Sequence, residues 1–269
     1  MDNTEKKPSE WINHIDEIII SNSVKSFLSK DKFGKEVILE WIKTDMLSPK
    51  YSSAMKSVWK IACQTYTTIE MDFLKAHPEV VGSDAHFKPF ESLFKAGINN
   101  VDWNLVKEKM QNILKGIFIF DSSIYSNEMK KSLENVRQIF VSLKDKENGK
   151  QLGFITFLIS PKYKHGYVKS IALSILPKEQ NRGLGKLAMS SIFKIIPQTK
   201  SIFLCTRITN QKAKNAYLNW GFVENRKLIS TENQYTFNKD HWIFMEYKSK
   251  EADVLQKLSK KIVVKQLNP

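Results

Sequence analysis

Two glycines separated by one residue, Gly183 and Gly185, sit where an apolar run, Leu173-Ser174-Ile175-Leu176-Pro177, turns through Lys178-Glu179-Gln180-Asn181-Arg182 into an amphipathic segment. The pattern reads as strand, loop and helix, a unit suited to holding a phosphate. Backbone N–H groups at a helix start lack intrahelical partners, and the helix dipole adds positive potential there. Gly183 and Gly185 carry no side chain to keep the backbone from an anion. Several phosphate loops share this logic. A P-loop is excluded because Gly-x-x-x-x-Gly-Lys-Ser/Thr is absent. Gly183 to Ala188 fits the dinucleotide pattern Gly-x-Gly-x-x-Gly/Ala. The next strand-like run, Ser201 to Arg207, nevertheless ends without the Asp or Glu that would hold a ribose hydroxyl, and no repeated strand–helix succession follows.

A second block runs from Asn210 through Ala213, Tyr217 and Trp220 to Gly221 and Phe222. Thr209 or Asn210 can cap a helix here and Gly221 can end it. Ala213, Tyr217 and Trp220 share one face, which by itself makes Tyr217 a core aromatic.

Taken together, the two blocks resemble motifs A and B of the GNAT superfamily of acetyl-CoA-dependent N-acetyltransferases. Gln180, Gly183 and Gly185 match Gln/Arg-x-x-Gly-x-Gly/Ala; Asn210, Ala213, Tyr217, Gly221 and Phe222 match Asn-x-x-Ala-x-x-x-Tyr-x-x-x-Gly-Phe. The resemblance covers roughly residues 116 to 248. It implies that the backbone of Leu173, Ser174 and Ile175 bonds the pantetheine arm and polarises the acetyl carbonyl. It also implies that Gln180, Asn181, Arg182, Gly183, Leu184, Gly185 and Lys186 hold the pyrophosphate, and that Asn210 bonds the cofactor arm. Tyr217 becomes the general acid that protonates the sulfur. A phenol suits that role, because its reference pKa of about 10 lies above the thiol's of about 8.5. Acetyl-CoA is the expected cosubstrate, and no metal is expected.

Members of the superfamily often place a glutamate on the motif A strand to take a proton from the amine. The two corresponding places here hold Lys169 and Ile171, neither of which is a carboxylate base. A water chain, Glu179, His165, Glu128 or His241 remain as alternatives, with His165 also reading as part of a plain hairpin turn. The lack of a strand carboxylate keeps open a catalytically silent, CoA-binding interaction or regulatory protein.

The elements that must position these residues follow from pattern. Gly116 to Phe120 reads as a first strand, Ser126 as the cap of a helix to about Gln138, and Ile139 to Leu143 as a second strand. Leu152 to Ile159, Tyr167 to Leu176, Ser201 to Arg207, Val223 to Ser230 and His241 to Tyr247 read as further strands. The predicted class is α/β (α+β): a GNAT-like mixed, twisted sheet flanked by helices, preceded by an all-helical N-terminal domain. Apolar residues recur at helical spacing in Trp11, Ile12, Ile15, Ile18 and Ile19, in Val37, Ile38, Trp41 and Ile42, and from Met55 through Tyr66 to Ile69. The predicted division is a helical domain over residues 1–112, closed by a helix capped by Asp102, the acetyltransferase domain over 113–249, and a basic, helical tail over 250–269. The helical domain is suited to a lid, a docking surface or a dimer interface.

Charge divides the chain in the same way. Residues 1–115 carry 16 Lys, no Arg and 16 acidic residues, so the whole formal charge of +14 belongs to the remainder. CoA phosphates and a solvated lysine face account for such an excess, as would an acidic protein or nucleic-acid-associated acceptor. A free polyamine is disfavoured. Two cysteines, Cys63 and Cys205, are too few for a disulfide framework, and the five histidines show no metal-ligand spacing. With no signal-length or membrane-length apolar run, a cytoplasmic monomer or homodimer is expected, with no membrane partner.

Overall fold

Along Tyr167–Ile175 every second residue is buried, the two-residue period of an extended strand. Arg137–Asp145 and Gln151–Ile159 are instead buried almost continuously, as strands covered on both faces must be. The computed structural model describes residues 12–13, 15–17, 26–45, 49–83, 87–118, 136–227, 239–249 and 254–264. In it these strands join a nine-stranded sheet of β1 (Ser26–Lys30), β2 (Glu36–Asp45), β3 (Arg137–Asp145), β4 (Gln151–Ile159), β5 (Tyr167–Ile175), β6 (Ser201–Arg207), β7 (Val223–Glu224), β8 (Trp242–Lys248) and β9 (Val263–Val264). The order is β7-β8-β6-β5-β4-β3-β2-β1-β9. Among the described residues only β5 and β6 run parallel; every other neighbouring pair is antiparallel.

The sheet starts far earlier than the sequence predicts. Val37, Ile38, Trp41 and Ile42, expected on a helix, lie in β2, where Val37, Leu39 and Trp41 are buried at alternate positions. The spacing fits either period over so short a run, and pairing decides it: Val37 to Asp45 match Asp145 to Arg137 residue for residue. Residues 26–45 are therefore strand within the first 112 residues, in the same sheet as the motif A strand. The predicted strand at Gly116 to Phe120 is corrected in turn. Gly116, Ile117 and Phe118 complete helix α2 (Trp103–Phe118), whose preceding turns bury Val106, Met110 and Leu114. Ser126, Glu128 and the helix predicted from them lie outside the described residues, except that Arg137 and Gln138 belong to β3.

Strands β2 and β3 are neighbours in space, yet residues 46–136 intervene. This insertion carries α1 (Pro49–Ala76), short helical turns at residues 80–83 and 91–94, and α2. Pro49 opens α1, where its missing N–H costs nothing, and His77-Pro78 follows its end. As predicted, Asp102 caps α2, its Oδ1 accepting from the N–H groups of Asn104 and Leu105. Helices α1 and α2 share a core built on Phe73, Leu74, Val106 and Met110. Val58 and Ala62 of α1 also pack on Phe140, Phe154 and Ala172 of the sheet. The opposite sheet face, carrying Val141, Ile155 and Phe157, is covered by α3 (Leu184–Ser190), α5 (Val254–Lys260) and the segment holding Ile12 and Ile15. Within residues 250–269, α5 docks through Leu255, and the chain then turns back so that β9 pairs with β1. Among the described residues no helix is long and apolar enough to cross a membrane.

Candidate active site

The sheet parts at its one parallel pair. β5 and β6 are matched only over Tyr167–Lys169 and Ser201–Phe203, after which β5 stays with β4 to Ile175 while β6 stays with β8 to Arg207. Ile171 is skipped in the β4–β5 register, between Ala172 opposite Thr156 and Ser170 opposite Phe157. This bulge bends β5 away from β6. Leu173, Ser174 and Ile175 thus form one wall of a split, with one strand edge unpaired by β6. Gly153 permits this, because a Cβ there would lie 2.5 Å from the Ser174 carbonyl oxygen.

The glycine loop closes the mouth of the split. Asn181 and Gly183 both take positive φ, 64° and 78°, and Gly183 immediately precedes α3. The N–H groups of Leu184, Gly185 and Lys186 begin that helix and so have no carbonyl one turn back to bond. The two glycines differ in role: at Gly183 the backbone conformation is the requirement, whereas a Cβ on Gly185 would lie 3.0 Å from the Trp220 ring. Gly185 thus serves helix packing against the motif B segment. Lys186 is part-buried, which pulls its ammonium below its usual pKa.

Arg182 does not present its guanidinium to the loop. Its Nε lies 2.7 Å from Asp31 Oδ2 and its Nη1 2.5 Å from Glu179 Oε2, while its carbonyl accepts from the Lys32 N–H. Burial acts to raise the Asp31 carboxyl, but hydrogen bonds from Arg182 and from the Phe33 and Lys35 N–H groups outweigh it and hold the group below its ordinary range. The β1–β2 turn therefore braces the loop. Gln180 donates through Nε2 to the Ile175 carbonyl, fastening the loop to the end of β5.

Helix α4 (Gln211–Asn219) carries the motif B residues. Asn210 is its cap: Oδ1 accepts from the Ala213 N–H at 3.2 Å and Nδ2 donates to Thr206 Oγ1 at 3.2 Å, so its amide also ties α4 to β6. Tyr217 packs edge-on against Trp220 and beside Phe222, and Gly221 turns the chain with φ 93°. The Tyr217 ring is partly exposed while its phenol group lies deep, where burial, helped by Tyr66 and Cys205, drives its pKa far above the ordinary value. Below strongly alkaline pH this phenol keeps its proton.

Tyr66 and Glu70 are the residues that sequence reasoning missed. Both project from α1 into the split. The Leu173 N–H donates to the Tyr66 hydroxyl at 3.2 Å, and burial pushes the Tyr66 phenol up to about 12. One helical turn on, Glu70 accepts from Arg207 at the end of β6 through both oxygens, at 2.8 to 3.2 Å. Arg207, 1% exposed, is stacked between Phe73 and Trp242 at 4.2 and 4.0 Å. Tyr66 hid within an apolar helical stripe; an acidic residue four positions later on that face was the available signal.

The base alternatives separate clearly. Glu179 is bonded to Lys150 and Arg182, which hold its carboxylate ionised to low pH. His165 lies in the β4–β5 turn, and His241 stands beside His77 and Glu79, next to the start of β8. Lys169 pairs opposite Leu158 on the sheet face that α1 covers. On that face Gln138, Thr156 and Ser174 are buried, and their side-chain polar atoms have no protein partner among the described residues.

A mixed sheet split at its parallel pair, with a glycine loop at the mouth and a buried phenol behind it, is the frame of an acyltransferase. Residues 107–222 match the model of the acetyltransferase (GNAT) family, so the chain carries a GNAT acetyltransferase domain. The match begins within α2 and stops at Phe222, whereas the sheet also includes β1, β2 and β8. No curated protein matches the chain. Among solved structures, the chain is similar to nourseothricin acetyltransferase, at 14% identity over 41% of this chain and 65% of that one, with a TM-score of 0.32. It is similar to the PaiA N-acetyltransferase of Thermoplasma acidophilum in complex with coenzyme A, at 13% identity over 78% and 99%, TM-score 0.39. It is also similar to a protein of Bacillus anthracis described as a putative streptothricin acetyltransferase, in complex with acetyl-coenzyme A, at 20% identity over 42% and 64%, TM-score 0.34.

Proposed function

We propose that the chain transfers acetyl from acetyl-CoA to a primary amine by direct attack, with Tyr217 returning a proton to the departing thiolate. The observation that carries this reading is the parting of β5 from β6 with Leu173 on one wall and the Tyr217 phenol buried near Tyr66, whose hydroxyl meets the Leu173 N–H. Acyl transfer needs a held thioester, a stabilised oxyanion and a proton for sulfur. The stretch of β5 that β6 leaves uncovered, Leu173 to Ile175, supplies hydrogen bonds to an extended arm that takes the place of the Tyr66 hydroxyl at the Leu173 N–H. The loop from Gln180 to Lys186 supplies N–H groups to a pyrophosphate, and Tyr217 supplies the proton. Burial raises thiol and phenol together, so the order of their pKa values is kept.

Deprotonation of the amine is assigned to a water chain reaching the split past Ser174 on β5, since neither Lys169 nor Ile171 is a carboxylate. The +14 charge, carried beyond residue 115, favours an acceptor on an acidic macromolecule. Tyr217→Phe tests the central assignment. Turnover should fall about 100-fold or more while the KM for acetyl-CoA stays within about twofold, the range expected for loss of one general acid. Unchanged turnover would remove Tyr217 from the mechanism.

A second reading is favoured by one contact. The Tyr66 hydroxyl already occupies the Leu173 N–H that an acetyl oxygen would need, as it would in a CoA-binding protein that has lost catalysis. Tyr66→Phe distinguishes the two: freeing that N–H should lower the KM for acetyl-CoA in a working enzyme, and produce no acetyl transfer to any amine in a silent one.

A further inference from the structure

We infer that His77, Glu79 and His241 form a binding site for a divalent metal ion of the zinc type, distinct from the residues assigned to acyl transfer. The two histidines are 164 positions apart in sequence, and the fold brings them to one place. His77 and Glu79 follow the end of α1, and His241 ends the turn that leads into β8. One ligand atom from each residue lies within 4.8 Å of the other two. His77 Nδ1 and Glu79 Oε1 are already 3.2 Å apart, and the two imidazole rings stand 5.5 Å apart at 36°.

These distances suit a shared ion. With metal–nitrogen and metal–oxygen bonds of about 2.0–2.2 Å in a tetrahedral site, ligand atoms sit roughly 3.4 Å from one another, so only a small closure is needed. Two imidazoles are borderline donors that select Zn²⁺ and its neighbours over Mg²⁺ or Ca²⁺, and a carboxylate oxygen completes a donor set that zinc accepts. A second observation points the same way: His241 Nδ1 is buried and has no hydrogen-bond partner among the described residues. A buried imidazole nitrogen left without a partner is costly unless something binds the ring and fixes its tautomer. The Glu79 carboxylate faces solvent, so it meets a cation as an anion at neutral pH.

The charge around the cluster permits a cation. Arg207 stacks on Phe73, whose ring also lies 5.1 Å from His241, but its charge is matched by Glu70 at 2.8 Å. The Glu79 side chain is 65% exposed, so an ion has a path from solvent and room for water as a fourth ligand. An ion here would pin the C-terminal end of α1, which holds Tyr66 over the split, to the leading edge of β8.

The test is a Zn²⁺ titration of the full chain, free of any histidine tag, against a chromophoric chelator, with thermal unfolding measured in parallel. The expected result is one equivalent bound with micromolar affinity and a midpoint raised by several degrees. His241→Ala and Glu79→Gln should each weaken binding by roughly tenfold or more. Glu79→Gln alters an exposed side chain and should leave the metal-free midpoint unchanged, so it reports even if His241→Ala fails to fold. His165→Ala, on a different turn, should keep full affinity. No saturable binding, or binding unchanged by Glu79→Gln, would overturn the site.

Discussion

At the residue scale, the buried Arg207–Glu70 pair joins the helical insertion to the sheet. Both partners are nearly inaccessible, and Arg207 is also held between aromatic rings, so removing either charge strands the other. Loss of one partner of such a pair costs on the order of 3–5 kcal/mol. Glu70→Gln should therefore lower the thermal midpoint sharply, whereas Glu70→Leu combined with Arg207→Met, which removes both charges, should recover part of the loss. Tyr66 sets the alkaline limit. Its folded pKa of about 12 lies above the unfolded value of about 10. The stability gained by burying the neutral phenol is thus whole below pH 10 and disappears as pH rises toward 12. Alkaline unfolding followed by circular dichroism should begin above about pH 10 in the native chain and should be shallower in Tyr66→Phe.

Asp31 has the opposite sign. Its folded pKa is depressed, so its stabilising effect is present above the unfolded value of about 3.9 and is lost as pH falls through the lower folded value. Asp31→Asn should be less stable than the native chain at pH 7, and the two should converge in acid. Unfolding midpoints measured from pH 7 down to pH 3 would show a constant gap if the Arg182 contact did not matter.

At the scale of elements, the glycine loop is held by three neighbours: the β1–β2 turn through Asp31 and Lys32, the end of β5 through Gln180, and Trp220 against Gly185. Gly185→Ala forces a Cβ to 3.0 Å from the Trp220 ring, and such overpacking costs about 1–3 kcal/mol. The mutation should also loosen acetyl-CoA binding, since α3 must move. Isothermal titration with CoA, set beside a thermal melt, separates the two effects. Strand β2 shows how far pattern reaches. Val37, Ile38, Trp41 and Ile42 satisfy two periods, and only the partner strand, about a hundred residues later, chose between them. The run at Gly116 to Phe118 went the other way because α2 already supplied the preceding turns of its helix.

At the scale of the molecule, the family match at residues 107–222 is smaller than the unit that folds. β3 needs β2 along nine residue pairs, and β6 needs β8 along seven. A fragment limited to residues 107–222 would expose both edges and half a core, and exposed edges pair with other chains. It should aggregate or lack a cooperative melt, whereas the full chain should unfold cooperatively; size-exclusion chromatography and calorimetry read this directly.

Local chemistry was enough to determine the strand–loop–helix at Leu173 to Ser190, the Asn210 cap, the Asp102 cap and most strands from Ile139 onward. Each rests on residues within a few positions of one another, where turn, cap and period are set by sequence neighbours. Tertiary structure alone decided that residues 26–45 belong to the sheet, that Arg182 serves Asp31 and Glu179, that Tyr66 reaches Leu173, and that His77 meets His241. Those outcomes depend on pairing and burial between segments tens to hundreds of residues apart, and a hydrogen bond or buried charge has no signature in the chain until its partner is brought to it.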